Sequence, residues 1–220
     1  MELVINDKSY YIPNKWSQVP LASYMRFMTT YNDDDKEVEK QIKLVSAFTG
    51  VPTKILGKAR YSIIEKSADR LTELIEQKPV EELALQLEID GVNYGFHPKL
   101  KDLKLKEFVD LDNKLNDSWA NMHGVMSILY RPIIEQKGDK YTIEEYDYVT
   151  ANKRAEIFKN KMSMNIVSGA ASFFLTIAVD YMSITQSYLK NTTRQKRRNF
   201  IRQMKKRLVN ATAGIRSYII

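Results

Sequence analysis

A mostly helical α+β fold, built from two related lobes, is what this 220-residue sequence predicts. Three observations carry it: an internal repeat, two short alternating hairpin patterns, and apolar residues spaced three and four apart over much of the remainder. Hydrophobic residues form 44% of the chain, enough to bury a core, which excludes bulk disorder.

Residues 5–28 align without a gap on residues 89–112. Ile5 pairs with Ile89, Tyr10 with Tyr94, Ile12 with Phe96, Lys15 with Lys99 and Trp16 with Leu100. Val19, Leu21, Tyr24 and Phe27 then meet Leu103, Leu105, Phe108 and Leu111. Each copy runs from one alternating stretch through a polar turn, Asn6-Asp7 or Asp90-Gly91, into a second, which Pro13 or Pro98 ends. Asp-Gly between alternating apolar residues is a hairpin signal. Leu21 and Leu105 open helices, so the unit is hairpin, short connection, helix.

Further helices follow in each copy. Val38–Thr49 and Trp119–Tyr130 both read as apolar helices that stop ahead of Val51-Pro52 and Arg131-Pro132, because a residue before proline is pushed out of the α region. The first copy adds a helix over Tyr61–Gln77. The second adds the segment KYTIEEYDY, a helix around Ala151–Lys159 and one long amphipathic helix over Met162–Leu189. In that last helix Ser163, Asn165, Ser168, Ser172 and Thr176 mark a small-polar face, and Ile166, Ala170, Phe173, Ile177 and Tyr181 an apolar one. The predicted division is a first lobe over 1–80, a second over 81–189 and a basic helical arm over 190–220.

Charge is sharply divided. The arm holds Lys190, Arg194, Lys196, Arg197, Arg198, Arg202, Lys205, Lys206, Arg207 and Arg216, and no acid follows Asp180. That leaves 24 of the 34 basic groups, with all 27 acidic ones, for the other 189 residues, a net of −3. Within the arm Phe200, Met204, Leu208, Ala211 and Ile215 repeat as one apolar stripe. Three partners suit such a helix: a groove on a neighbouring subunit, the phosphates of nucleic acid, or an anionic membrane surface. The docking stripe is Phe200, Met204, Leu208 and Ile215, and the terminal Ser217–Ile220 makes an apolar hook.

Catalytic chemistry has little material. Without cysteine there is no disulfide, iron–sulfur cluster or thiolate zinc site. The two histidines read as a turn residue (His97, before Pro98) and a core or interface residue (His123). Asp33, Asp34 and Asp35, with Glu37 and Glu39, suit a helix N-terminus better than a calcium loop, since the glycine and terminal glutamate of such a loop are missing. Asp110, Asp112 and Asp117 read as a solvated helix face. No phosphate-binding glycine motif and no G-x-S-x-G is present. The expectation is a non-enzyme without cofactor or metal. The N-terminus lacks the pattern of a secretory signal, and the uncharged run Met162–Val179 is too polar on one face for a span, so no membrane is expected.

The run Tyr94-Gly95-Phe96-His97-Pro98, then Leu105–Leu111, Met122-His123, Leu129-Tyr130-Arg131-Pro132-Ile133 and Lys140–Tyr146, together with Met164–Ala170 and Phe173-Phe174, resembles a family of tailed-bacteriophage structural and assembly proteins, including those of crAss-like and marine phages. The resemblance spans roughly residues 85–180 and does not include the basic arm. It implies a virion protein assembled in the host cytoplasm, a ring or connector component of the tail or neck that forms a homo-oligomer and contacts other virion proteins. Two alternatives accompany it: a tail assembly chaperone that binds the tape-measure protein, and a protein that meets packaged DNA through residues 190–220.

Overall fold

Both hairpins form where alternation and turn residues place them. A computed structural model of the chain describes residues 2–77, 82–100, 103–116 and 118–173. Strand β1 (Glu2–Ile5) pairs antiparallel with β2 (Lys8–Tyr11), and β3 (Gln86–Ile89) with β4 (Val92–Phe96). Their registers coincide across the repeat: Glu2 faces Tyr11 as Gln86 faces Gly95, and Ile5 faces Lys8 as Ile89 faces Val92. Two-residue turns of this kind need positive φ at both central positions. Asn6 and Asp7 take φ of 50° and 60°, Asp90 and Gly91 of 54° and 74°.

After a 3₁₀ turn at Trp16–Gln18 the first lobe continues through α1 (Leu21–Thr30), α2 (Glu37–Thr49), α3 (Thr53–Leu56) and α4 (Tyr61–Glu76). Gly50 ends α2 in the left-handed region at φ 76°, which leaves Val51-Pro52 to leave the helix axis. In the second lobe α5 (Leu105–Asn116) starts at the repeat-equivalent residue, Leu105 matching Leu21. A 3₁₀ turn (Ser118–Asn121) leads into α6 (Met122–Leu129). The observed fold is therefore α+β and mostly helical.

Two readings of the second lobe need correction. The helix expected over Trp119–Tyr130 is shorter, because Tyr130 is already extended (φ −107°, ψ 122°) and begins β5 (Tyr130–Lys137). β5 turns at Gly138 into β6 (Lys140–Ile143), so the second hairpin grows into a four-stranded antiparallel sheet in the order β3-β4-β5-β6. Proline does more here than stop a helix: Pro132 sits in the ladder opposite Tyr94, where its carbonyl accepts from Glu144 N at 2.9 Å. Gly95 lets the Tyr141 ring lie on β4; a Cβ at Gly95 would stand 2.3 Å from a ring carbon. The Tyr141 hydroxyl donates to Phe96 O at 2.7 Å.

The long helix is the second correction. Helix α7 (Tyr148–Lys161), capped by Asp147 accepting from Thr150 N at 2.8 Å, ends before Met162. Met162 and Ser163 are not helical; Ser163 bridges Pro20, Leu21 N donates to Met162 O and Met164 N to Val19 O, each at 2.9 Å. Helix α8 then covers 164–173, and the rest of the expected Met162–Leu189 helix lies outside the described residues. Its buried face is Met164, Val167 and Ala170, with Ile166 and Phe173 only partly covered.

The buried side chains of both lobes form one contiguous cluster. Tyr24 of α1 meets the Trp119 ring edge-on at 4.7 Å, and α8 crosses the chain between the lobes so closely that a Cβ on Gly169 would lie 2.1 Å from Glu82 O. Among the described residues no helix is long and apolar enough to cross a membrane.

Candidate functional site

Helices α1 and α5 carry the same apolar row at spacings of three and four. In α1 it is Leu21, Tyr24 and Met25, with exposures of 0%, 6% and 8%. In α5 it is Leu105, Phe108 and Val109, with exposures of 79%, 56% and 46%. Sequence chemistry is alike and burial is opposite. The α1 row is covered by the Trp119 turn and the extended Met162–Ser163 link, both supplied by the second lobe. Around the α5 row stand Asp112 on the helix and Glu145 on the link that follows β6, whose carboxylate takes Lys104 Nζ at 3.0 Å. Asp147 lies close enough to Lys106 for its carboxyl, already pulled below the usual range chiefly by the Thr150 hydrogen bonds, to be lowered further.

The inner face of α5 is pinned by buried ions. Glu107 Oε1 accepts from Arg131 Nη1 at 3.0 Å, and Oε2 from the Lys104 backbone N–H at 3.0 Å. His97 Nε2 stands 4.0 Å from the same Oε2. Burial pushes the Arg131 guanidinium down and the Glu107 carboxylate opposes that. Alongside, Arg154 of α7 donates to Glu144 Oε2 at 2.8 Å and to Ser127 O at 3.2 Å. The Tyr146 hydroxyl donates to Asp110 Oδ2 at 2.7 Å, and burial with that carboxylate raises the phenol above its ordinary range. Hydrogen bonds to charged groups are each worth about 1.5–3 kcal/mol, so this set holds α5, β5 and α7 at fixed spacing. Its chemistry is positional: it clamps one side of α5 while the apolar row faces outward.

Of the residues singled out from sequence, Arg194, Lys196, Arg197, Arg198, Arg202, Lys205, Lys206, Arg207, Phe200, Met204, Leu208 and Ile215 lie outside the described residues, as does Asp117. Asp110 departs from the solvated face expected of it, because Tyr146 reaches it. Asp35 pairs with Lys43 rather than with the helix terminus, while Glu37 and Glu39 occupy the first turn of α2. His97 is more than a turn residue: its side chain stands beside Glu107. His123 packs in α6 with Nε2 3.7 Å from Glu156 Oε1 and Nδ1 buried without a partner, and burial lowers its pKa. Among the described residues no group of three His, Cys, Asp or Glu side chains could hold a metal ion. An open depression of about 310 Å3 lies beside Val38, Ile42 and Thr53.

Sequence reasoning missed the Glu107–Arg131 pair. Two signals pointed toward it: Glu107 falls three residues after Lys104, the spacing at which a side chain reaches back to a helix-start N–H, and Arg131 is a lone charge in an apolar run. No family model, no curated protein and no solved structure matches the chain.

Proposed function

We propose that this protein is a non-enzymatic structural component of a tailed-phage particle, a ring or connector subunit of the tail or neck that works by multivalent contact. The observation that carries the reading is the α5 row: three large apolar side chains exposed together, at the one place where the internal repeat buries its counterparts. A contiguous exposed apolar row rimmed by charge is the mark of an interaction surface. The charge division supports the same reading, since a body of net −3 followed by an arm with ten cations and no acid is built to bind something of its own composition or of opposite sign. The likeness of residues 85–180 to tailed-phage structural proteins supplies the setting. Mass spectrometry of purified particles tests the reading. A stoichiometric, multi-copy signal is the expected result; abundance in infected cells with none in finished particles would favour the assembly chaperone instead. Absence from both would remove the phage assignment.

A further inference from the structure

The repeat gives a template for what should cover α5. In the first lobe the equivalent row is sealed by a stretch of chain rather than by a flat surface: Met162 and Ser163 run extended along Val19–Leu21, and an apolar helix follows from Met164. Positions 103–104, the counterparts of Val19 and Pro20, carry no such bridge. The occupant of the α5 row is therefore expected to be another chain segment with a helical apolar stripe.

Charge narrows the choice. Helix α1 holds one basic residue, Arg26, and no acid; α5 puts Asp112 at the place of Met28, in line with the open row, while Lys104 and Lys106, which flank the row, face Glu145 and Asp147. Three acids thus stand around the open row against two lysines, whereas Asp110 is turned inward to Tyr146. This chain contains a segment of matching character outside the described residues: Phe200, Met204, Leu208 and Ile215 on one stripe, among ten cations. Length permits the contact. α8 reaches the sheet, with the Phe173 ring 5.5 Å from Phe96, and Phe200 lies 27 positions beyond Phe173, about 40 Å even at a helical rise per residue.

We infer that the apolar stripe of residues 200–215 docks on the Leu105, Phe108 and Val109 face of a neighbouring copy. This rests on the reading of the protein as a self-associating subunit and names the surface that reading leaves unassigned. An arm-to-body contact of this kind joins two different patches, so it is heterologous and builds a ring where the rotation closes.

The cysteine-free chain makes the test direct. Full-length Phe108→Cys is mixed with full-length Leu208→Cys bearing a larger tag, and a short bis-maleimide traps proximal pairs. An Ile134→Cys chain, at a site on β5 no less exposed, replaces Phe108→Cys as the control. The expected result is a mixed-tag linked dimer at least five-fold more abundant with Phe108→Cys than with Ile134→Cys. Equal yields from the two, with the wild type still oligomeric by light scattering, overturn the inference and leave the proposed function standing. A Phe108→Cys/Leu208→Cys double variant that links only within one chain, with no linkage between the mixed single variants, overturns it too, because the arm then folds back on its own body. A wild type that stays monomeric at every concentration removes the self-association on which both rest. Phe108→Asp should cut association at least ten-fold without changing the far-ultraviolet circular dichroism spectrum, whereas an unchanged association constant would count against the site.

Discussion

The two lobes use one sequence plan for opposite ends. The first buries its apolar row on α1 and places neutral hydroxyls, Ser23 and Ser67, among its buried polar groups. The second exposes the matching row on α5 and buries Glu107, Arg131 and Arg154. Ser23 and Glu107 occupy the same repeat position, one turn-face away from the row, and both are nearly inaccessible. Ser23 only donates to Phe48 O at 3.3 Å and accepts from Arg26 Nη2 at 3.0 Å, while Glu107 holds an ion pair. A helix covered on both sides needs no ionic clamp. One that is left open on one side is held from the other.

Removing the clamp should separate the two lobes most. Glu107→Ala leaves Arg131 buried and unpaired, which costs about 3–5 kcal/mol. Ser23→Ala, at the equivalent site, loses a long bond to Phe48 O and one from the Arg26 guanidinium, which keeps its bond to Ala47 O, and should cost about 1–2 kcal/mol. Urea unfolding of the two variants checks the difference; equal losses would show that Glu107 is not a clamp. The double variant Glu107→Leu/Arg131→Met should recover most of the loss, since replacing a buried pair by apolar groups of similar size is often near neutral.

Next comes the row itself. Tyr24→Ala empties a ring packed edge-on against Trp16 and Trp119, at 5.7 and 4.7 Å, and should cost about 3–5 kcal/mol. Phe108→Ala, its repeat partner, should stay within about 0.5 kcal/mol in the isolated subunit. A large loss at Phe108 in the monomer, read by thermal melting, would mean the α5 face is already covered within one chain.

Much of this plan was legible in the sequence. Asn6-Asp7 and Asp90-Gly91 announced both turns, and the gapless repeat put Leu105 where Leu21 starts its helix. The β5–β6 hairpin was not, because Pro132 was read only as a helix stop although Gly138 and Asp139 sit between alternating stretches. The break before the last helix was read two residues early, with Met162 and Ser163 taken as its first turn. Neither residue is a helix breaker, and it is the bonds on either side of them, Leu21 N to Met162 O and Met164 N to Val19 O, some 140 positions away in sequence, that hold them extended. The site was half legible: the repeat aligned Phe108 with Tyr24, but whether a row is buried depends on what the other lobe lays over it, which a local pattern does not encode. Glu107 and Arg131, 24 residues apart, meet only once β5 is placed.

The seam between lobes offers a smaller effect. Gly169→Ala drives a Cβ to 2.1 Å from the Glu82 backbone carbonyl, which cannot swing away, and should cost about 1–3 kcal/mol. Gly124→Ala meets only the Lys114 side chain, with the nearest atom at 2.7 Å, and that chain can move. Helix propensity favours alanine there by up to about 1 kcal/mol, so this variant should be neutral or slightly stabilised. Parallel denaturant titrations of the two variants decide whether α8 is held as closely as its glycine implies.

The last contrast lies between the helix pairs behind each row. α4 lays Ile64, Ala68, Leu71 and Leu74 into the first lobe, whereas α7 lays Arg154 with Ala151, Ala155 and Phe158 into the second, and His123 of α6 faces it. Only the second pair should titrate near neutrality. Burial lowers the His123 pKa below its ordinary 6.5, Lys159 and Lys114 push the same way, and Glu156 opposes them. The unfolded chain therefore takes up this proton at a higher pH than the folded one does. Its contribution to stability is complete above about 6.5 and is lost progressively as pH falls below that value toward the folded pKa. The informative quantity is the difference between wild type and His123→Gln. Melting temperatures measured from pH 7.5 to 5 should fall less steeply in the variant, by a degree or two over the interval. Parallel slopes would place the His123 ring in solvent and return the second lobe to the same apolar helix pairing as the first.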